Sequence, residues 1–395
     1  MPQARPPRNP DGSPPCLHQA VGGTAAWRRL SEAFYGRVAQ DPRLRHLFPG
    51  KSFHCAIEEL TAFLVQLFGG PGGDTQRRWW LSLHESHQRF KIGHEERAAW
   101  LENMRSTLDD MPMAPEHRAA LLRFFEDSSA HVVNTGGPVP TAALPANQPA
   151  GATEQEIARR WQGQCALDQF VAALRANNAE SALSLMDGQV LLERFQYDRS
   201  GLAGVLGLML GVDHPSIQAY VHTRLTMDPT LVTERFAGRT LLHQAAALGH
   251  RPFVELLLRL GADPNGMDGG EHTPLYSLAN EYRGNDGGPL VRILVQAGSK
   301  VDANGGAKRC TALHMAARRG SVEIAEALLD CGAAIEARDS LGETPLRRAV
   351  NCDKIRVAAL LLNRSADPHS LGSKRRTPFL AARSEAMKAL LQSRK

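Results

Sequence analysis

The stretch Thr240-Leu-Leu-His-Gln-Ala-Ala-Ala-Leu-Gly-His-Arg-Pro-Phe-Val-Glu-Leu-Leu-Leu-Arg-Leu-Gly261 reads as one complete structural unit. Thr240 is placed to cap a helix, because a hydroxyl there can accept from a free N–H of the first turn. The helix predicted over Leu242–Leu248 ends at Gly249, which tolerates a left-handed backbone. A second helix, Pro252–Leu260, closes on Gly261-Ala-Asp-Pro-Asn265, a turn. A helix pair of this size cannot cover its own apolar faces, so it requires copies of itself on either side.

Those copies are present. T-x-L-x recurs at Thr240-Leu-Leu-His243, Thr273-Pro-Leu-Tyr276, Thr311-Ala-Leu-His314 and Thr344-Pro-Leu-Arg347, with a fifth copy, Thr377-Pro-Phe-Leu380. The threonines are 33, 38, 33 and 33 residues apart, and the one long interval contains the insertion Arg283-Gly-Asn-Asp-Gly-Gly288. Proline after the threonine suits a first helical turn, where its missing N–H costs nothing. The same order recurs at Gly320, Val322–Leu329 and Gly332-Ala-Ala. The region resembles the ankyrin repeat family, whose T-P-L-H-x-A motif is best matched by Thr240–Ala245 and Thr311–Ala316. The resemblance implies an α-solenoid with short hairpin loops over 238–395, with Thr240, His243, Thr273, Thr311, His314, Thr344 and Thr377 as motif positions. It also implies docking of a protein partner on an extended face. The sequence does not identify that partner.

Upstream, Leu202–Val232 and Leu167–Tyr197 look like weaker copies, so 156–237 is expected to form degenerate ankyrin repeats or a helical cap. Thr153-Glu-Gln-Glu156 has the capping-box pattern and marks the first helix of this region. Composition changes sharply at 135–155, where four prolines and three glycines without apolar periodicity predict a linker. More than half of the 23 aromatics precede that linker, so the two halves carry different kinds of core.

The first half is helical by periodicity. Trp27, Leu30, Phe34 and Val38 share one face, as do Leu60, Phe63, Leu64 and Leu67. Trp100, Met104 and Leu108 form a third stripe, and Leu121, Phe124 and Phe125 a fourth. These stripes alone describe a plain helical bundle. The order of Ala20-Val-Gly-Gly23, Phe34-Tyr35, Leu47-Phe48-Pro49, Phe68-Gly-Gly-Pro71, His87-x-x-Phe90-Lys-Ile92 and Ala99-Trp100-Leu101 says more. It closely resembles a truncated haemoglobin of the second group over 17–134. The fold this implies is a two-over-two globin-like helical sandwich, so the whole chain is expected to be all-α.

The resemblance implies haem b held without a covalent link, in keeping with the absence of CxxCH. It makes His87 the proximal iron ligand, a role that neutral imidazole suits. His84, three residues earlier, competes for that role, and a His84/His87 metal site without haem is the alternative. The same pattern places Tyr35 and Trp100 on the distal side, each a hydrogen-bond donor on an apolar body. At about 1–1.5 kcal/mol per bond, the pair together would slow O₂ loss roughly 30–150-fold. Ala56 falls where many globins carry a distal histidine, and Phe48 where relatives carry tyrosine or histidine. Leu60, Phe63, Leu64, Phe90 and Ile92 are expected to contact the porphyrin, and Lys91 to meet a haem propionate. Ser86 stands where relatives often have arginine, so one propionate contact is lost or moves to Arg89.

Composition narrows the remaining classes. The 46 Lys+Arg against 41 Asp+Glu give a net charge of +5, too small and scattered for a nucleic-acid surface. The six cysteines, Cys16, Cys55, Cys165, Cys310, Cys331 and Cys352, form no zinc spacing and read as reduced thiols. Residues 1–16 read as a disordered, Pro/Arg-rich tail without a secretory signal, and the apolar run Gly201–Val212 is too short to span a membrane. A cytoplasmic protein without nucleic-acid or membrane partners is expected. Its function reads as reversible binding of O₂, or of NO or CO, joined to a protein-docking array, with gas or redox sensing as the joint role. A haem enzyme (NO dioxygenase or peroxidase-like) would need a separate reductase, because no flavin or NAD motif is present. A scaffold with a non-functional globin is the third reading. No catalytic residue is assigned, and binding is favoured over catalysis.

Overall fold

The computed structural model describes residues 16–50, 52–70, 82–136, 152–372 and 376–393. Residues 1–15 of the expected tail and 137–151 of the expected linker lie outside the described residues. The described chain is all-α apart from one two-residue hairpin, Arg235–Phe236 against Arg239–Thr240, and an isolated bridge, Gly305 to Cys310. It divides into two units, Met1–Asp198 and Arg199–Lys395. Among the described residues no helix is long and apolar enough to cross a membrane. All six cysteines are free thiols.

The first unit holds α1 (Leu17–Ala20), α2 (Gly23–Val38), α3 (Pro42–Arg45), α4 (His54–Leu67) and α5 (Leu83–His87). It continues with α6 (His94–Asp109), α7 (Pro115–His131), α8 (Ala152–Arg175), α9 (Ala179–Met186) and α10 (Gln189–Tyr197). α2 packs on α4, α6 packs on α7, and α2 also crosses α6, giving two stacked pairs. The predicted stripes supply the core: Trp27, Leu30, Phe34, Leu64, Met104, Leu108, Leu121 and Phe125 are almost completely buried. Trp27 stacks on Phe68 at 5.2 Å, and its indole N–H is satisfied by His18 Nδ1 at 3.1 Å.

The expected region 156–237 spans both units. α8, α9 and α10 belong to the first unit, and the boundary falls between Asp198 and Arg199. The reason is packing: Ile157 is buried in the aromatic core, and Trp161 lies edge-on to Phe124 at 5.6 Å. Seventeen of the 23 aromatics thus precede Arg199, so the change in core type coincides with this boundary rather than with the linker. The first helix after the linker begins at Ala152, which places Thr153 inside its first turn.

The second unit comprises α11 (Arg199–Leu210), α12 (Pro215–Met227), α13 (Leu241–Leu248), α14 (Arg251–Arg259), α15 (Pro274–Glu281) and α16 (Gly288–Gln296). α17 (Ala312–Arg319), α18 (Val322–Asp330), α19 (Pro345–Asn351), α20 (Ile355–Asn363), α21 (Pro378–Ala381) and α22 (Glu385–Gln392) complete it. α13, α15, α17, α19 and α21 pack in series, and α14, α16, α18, α20 and α22 form a second row. α11 packs on α13 and α12 on α14, so Leu202–Val232 occupies the place of a preceding pair. Gly249 ends α13 at φ +73°, and a β-carbon there would collide with the Tyr282 ring.

The repeated threonines cap as expected. Thr273, Thr311, Thr344 and Thr377 each accept from the backbone N–H three residues on. Thr240 makes no such backbone cap bond; its hydroxyl donates to His243 Nδ1 at 2.7 Å. His243 Nε2 then donates to the carbonyl of His272 at 3.0 Å, just ahead of the next threonine. His314 repeats both contacts, with Thr311 Oγ1 at 2.9 Å and the Glu343 carbonyl at 3.0 Å. In the fourth copy Arg347 replaces the histidine and donates to the carbonyl of Arg376 at 2.9 Å.

Candidate functional site

Within the first unit, α2, α4, α5 and α6 line an open cavity of about 890 Å³. Successive helical residues diverge by about 100°. Phe34 is therefore buried in the core, where it also borders the cavity, while its neighbour Tyr35 is partly exposed and lines the cavity. Tyr35 lies 5.6 Å from both Phe48 and Phe53, and Phe48 lies 5.7 Å from Phe90, forming an aromatic wall. α6 supplies Trp100, 5.0 Å from Phe34. Asp41 joins α3 to α6: its carboxylate accepts from the Arg43 N–H at 3.0 Å and from Asn103 Nδ2 at 2.8 Å. Those partners hold Asp41 well below the usual carboxylate range, with Arg43 the first cause.

His87 ends the five-residue α5 and lines this cavity. A second space of about 110 Å³ is lined by the same His87, with Leu60, Phe63, Leu83, Phe125 and Val132. His87 Nδ1 lies 2.8 Å from the Leu83 carbonyl, and Ser86 Oγ lies 2.8 Å from the same nitrogen. The Ser86 hydroxyl itself donates to Leu83 O at 2.7 Å, so the serine oxygen is left as an acceptor. Both contacts require the proton on Nδ1, which leaves Nε2 with a lone pair. Burial pushes the His87 imidazolium below its ordinary pKa, so the ring is neutral at pH 7. His84 is turned elsewhere: its Nδ1 faces the His131 carbonyl at 3.4 Å, and it lines neither cavity.

The Tyr35 hydroxyl and the Trp100 indole N–H, unlike that of Trp27, have no hydrogen-bond partner among the described residues. Burial, reinforced by Glu59, pushes the Tyr35 phenol far up, so it remains an O–H donor. A neutral imidazole with a free Nε2, apolar walls and two unengaged donors in one cavity is a donor set that fits a haem with a polar diatomic ligand. Among the described residues no group of three or more His, Cys, Asp or Glu is arranged to hold a bare metal ion.

Phe48, Ala56, Phe90, Lys91 and Ile92 line the larger cavity, and Leu60 and Phe63 the smaller one. Leu64 lines neither and is fully buried in the helical core. Lys91 has no ion-pair partner among the described residues, whereas Arg89 lies 3.9 Å from Glu59. Pro71 of the quoted motif lies outside the described residues. The loop carrying Phe90 and Ile92 is fixed by Asn134, a residue that the sequence reading did not assign. Asn134 donates to Phe90 O at 2.7 Å and accepts from the Ile92 N–H at 2.9 Å. Glu96, which lines both cavities, was also missed; its carboxylate accepts from the Gly93 N–H at 2.9 Å. The capping-box position of Glu96 three residues after Gly93 was its one sequence signal.

Comparison with known proteins agrees with both halves. The bacterial-like globin model matches residues 16–134. Ankyrin repeat models match 237–269 and, in three copies, 277–371. Group 2 truncated hemoglobin YjbI of Bacillus subtilis (strain 168) is 33% identical over 106 residues, covering 27% of this chain and 80% of that protein. Two-on-two hemoglobin-3 of Arabidopsis thaliana is 29% identical over 114 residues, 28% of this chain and 65% of that protein. Ankyrin repeat and SOCS box protein 16 of Homo sapiens is 34% identical over 155 residues, 37% of this chain. The chain spans only 33% of that human protein and 21% of its bovine relative, Ankyrin repeat and SOCS box protein 3. The globin family binds haem and oxygen, and ankyrin repeats bind proteins. The chain belongs to the group 2 truncated haemoglobins through its first part and carries ankyrin repeats in its second, and is thus a globin–ankyrin fusion.

Proposed function

We propose that the first unit holds haem b non-covalently through His87 and reversibly binds O₂, with NO or CO as competing ligands. When bound, the haem would supply an iron centre able to take up a diatomic gas. The carrying observation is the shared cavity: among the described residues His87, tied by Nδ1, has no partner at Nε2, and it faces the same space as two donors that are likewise without a hydrogen-bond partner. Tyr35 and Trp100 hold the polar end of the gas by donating to it. Ala56, too short to donate, leaves the approach open. Lys91 meets a propionate at the rim. The second unit docks a protein partner, and gas binding in the first unit regulates that docking.

Titration of the full chain with haemin tests the site. A Soret band should form in the wild type and in His84→Ala, and should be lost or strongly displaced in His87→Ala. A wild type without the band removes the haem function, and an unchanged band in His87→Ala removes the ligand assignment. Partner affinity measured in the deoxy and oxy forms tests the sensing role, which equal affinities would remove.

A further inference from the structure

α5 has five residues, too few to hold a helical conformation alone, so the orientation of His87 depends on what pins that turn. The pins come from α8, beyond the matched globin segment. Asp168 Oδ1 accepts from the Leu83 N–H at 2.8 Å, satisfying a first-turn donor that the helix cannot satisfy itself. Leu83 is also the residue whose carbonyl receives His87 Nδ1, so a single peptide residue separates the Asp168 carboxylate from the imidazole. Seven residues along α8, Arg175 Nε pairs with Glu85 of α5 at 2.9 Å.

The same helix reaches the opposite wall. Arg160 Nη1 donates to the Leu67 carbonyl at the end of α4, the helix that carries Ala56, Leu60 and Phe63, at 3.2 Å. Asp168 is itself fixed: its side chain is 4% exposed, and Oδ2 meets His131 Nε2 at 2.7 Å. Gln164 Nε2 donates to Oδ1 at 3.1 Å. α8 therefore ties the two walls of the cavity together and anchors the proximal turn through a buried contact at Asp168 and a more exposed one at Arg175.

We propose that α8 is a splint of the haem site and that Asp168 is a positioning residue for the proximal histidine. The haem unit of this protein accordingly extends through the helices after the linker. The inference rests on His87 as the iron ligand. Asp168→Ala frees the Leu83 N–H and loosens the turn, Asp168→Asn retains an acceptor oxygen, and Arg175→Ala removes only the outer pin.

Two measurements on the full chain decide it. In haem-free protein, amide exchange of Leu83 to His87 should accelerate at least tenfold in Asp168→Ala while amides of α2 stay protected, and Asp168→Asn should restore most of the protection. In the ferrous, ligand-free holoprotein, the iron–histidine stretching band should shift or broaden in Asp168→Ala, shift less in Arg175→Ala, and return in Asp168→Asn. Uniform acceleration throughout the unit would make Asp168 merely structural and overturn the proposal. So would an iron–histidine band that is present and unmoved in Asp168→Ala. A wild type without that band would instead overturn the assignment of His87, and this inference with it. Should Asp168→Ala fail to retain haem, the exchange measurement and Arg175→Ala still decide.

Discussion

His87 in the globin unit and His243 and His314 in the repeats are the same residue in opposite tautomers. His243 and His314 are fully buried and His87 is partly buried, and burial lowers the pKa of each, so all three are neutral at pH 7. The repeat histidines accept at Nδ1 from a threonine and donate from Nε2 to a carbonyl, leaving no nitrogen free. His87 donates from Nδ1 to a carbonyl of its own helix, and its Nε2 remains a lone pair beside a cavity. Burial and a depressed pKa therefore do not set His87 apart from the repeat histidines. The count of engaged nitrogens does.

The sharpest way to break this comparison is to exchange the losses. His87→Ala should abolish histidine ligation of haem while leaving the repeat unit's unfolding midpoint unchanged. His314→Ala should keep the Soret band and lower the repeat unit's stability by about 2–4 kcal/mol, through lost packing and an orphaned carbonyl. Denaturant titration followed by far-UV dichroism and by the Soret band separates the two; a Soret change in His314→Ala would erase the distinction.

Acid comes next. His243 falls from 6.5 to about 4 in the folded state, so between those values the unfolded chain binds the extra proton. Stability contributed by this neutral histidine is present above about pH 6.5 and lost as pH falls toward 4, by an amount on the order of 3 kcal/mol. His314 shifts in the same direction. Stability of the repeat unit should drop across this window, and His243→Gln should flatten the drop.

A smaller effect tests the donors. Tyr35→Phe or Trp100→Phe should each raise the O₂ dissociation rate roughly 5–13-fold in stopped flow, one hydrogen bond being worth about 1–1.5 kcal/mol. Rates unchanged in both would mean that neither donor reaches the gas. The smallest effect is Thr344→Ala, which removes one helix cap and should cost about 1 kcal/mol, without moving any haem property.

The repeats were legible because periodicity is local: threonines 33 residues apart in three of four intervals, and glycines after α13, α14, α16, α17 and α18, name their own partners. The pocket was legible through motif order, which carried His87, Phe90 and Ile92 to one cavity. Leu64 shares the stripe of Leu60 and Phe63, but a helical stripe is wide enough to face both cavity and core, and Leu64 faces the core. The role of α8 was not legible. Its apolar residues show little helical periodicity, and its partners are the Leu83 amide, the Leu67 carbonyl and Phe124, backbone atoms and a ring distant in sequence. Trp161 and Phe170 were the available hint, since aromatic density continues past the linker.

The bridges between repeats also bear on how such an array grows. His243, His314 and Arg347 each reach a main-chain oxygen 29 residues ahead, on the residue before the next threonine. That acceptor is present whatever amino acid occupies the position: histidine, glutamate and arginine serve in turn. A duplicated unit inserted in register therefore finds its bond ready-made, with no compensating change in its neighbour. The array can lengthen by copying, and selection is left free to vary the exposed side chains.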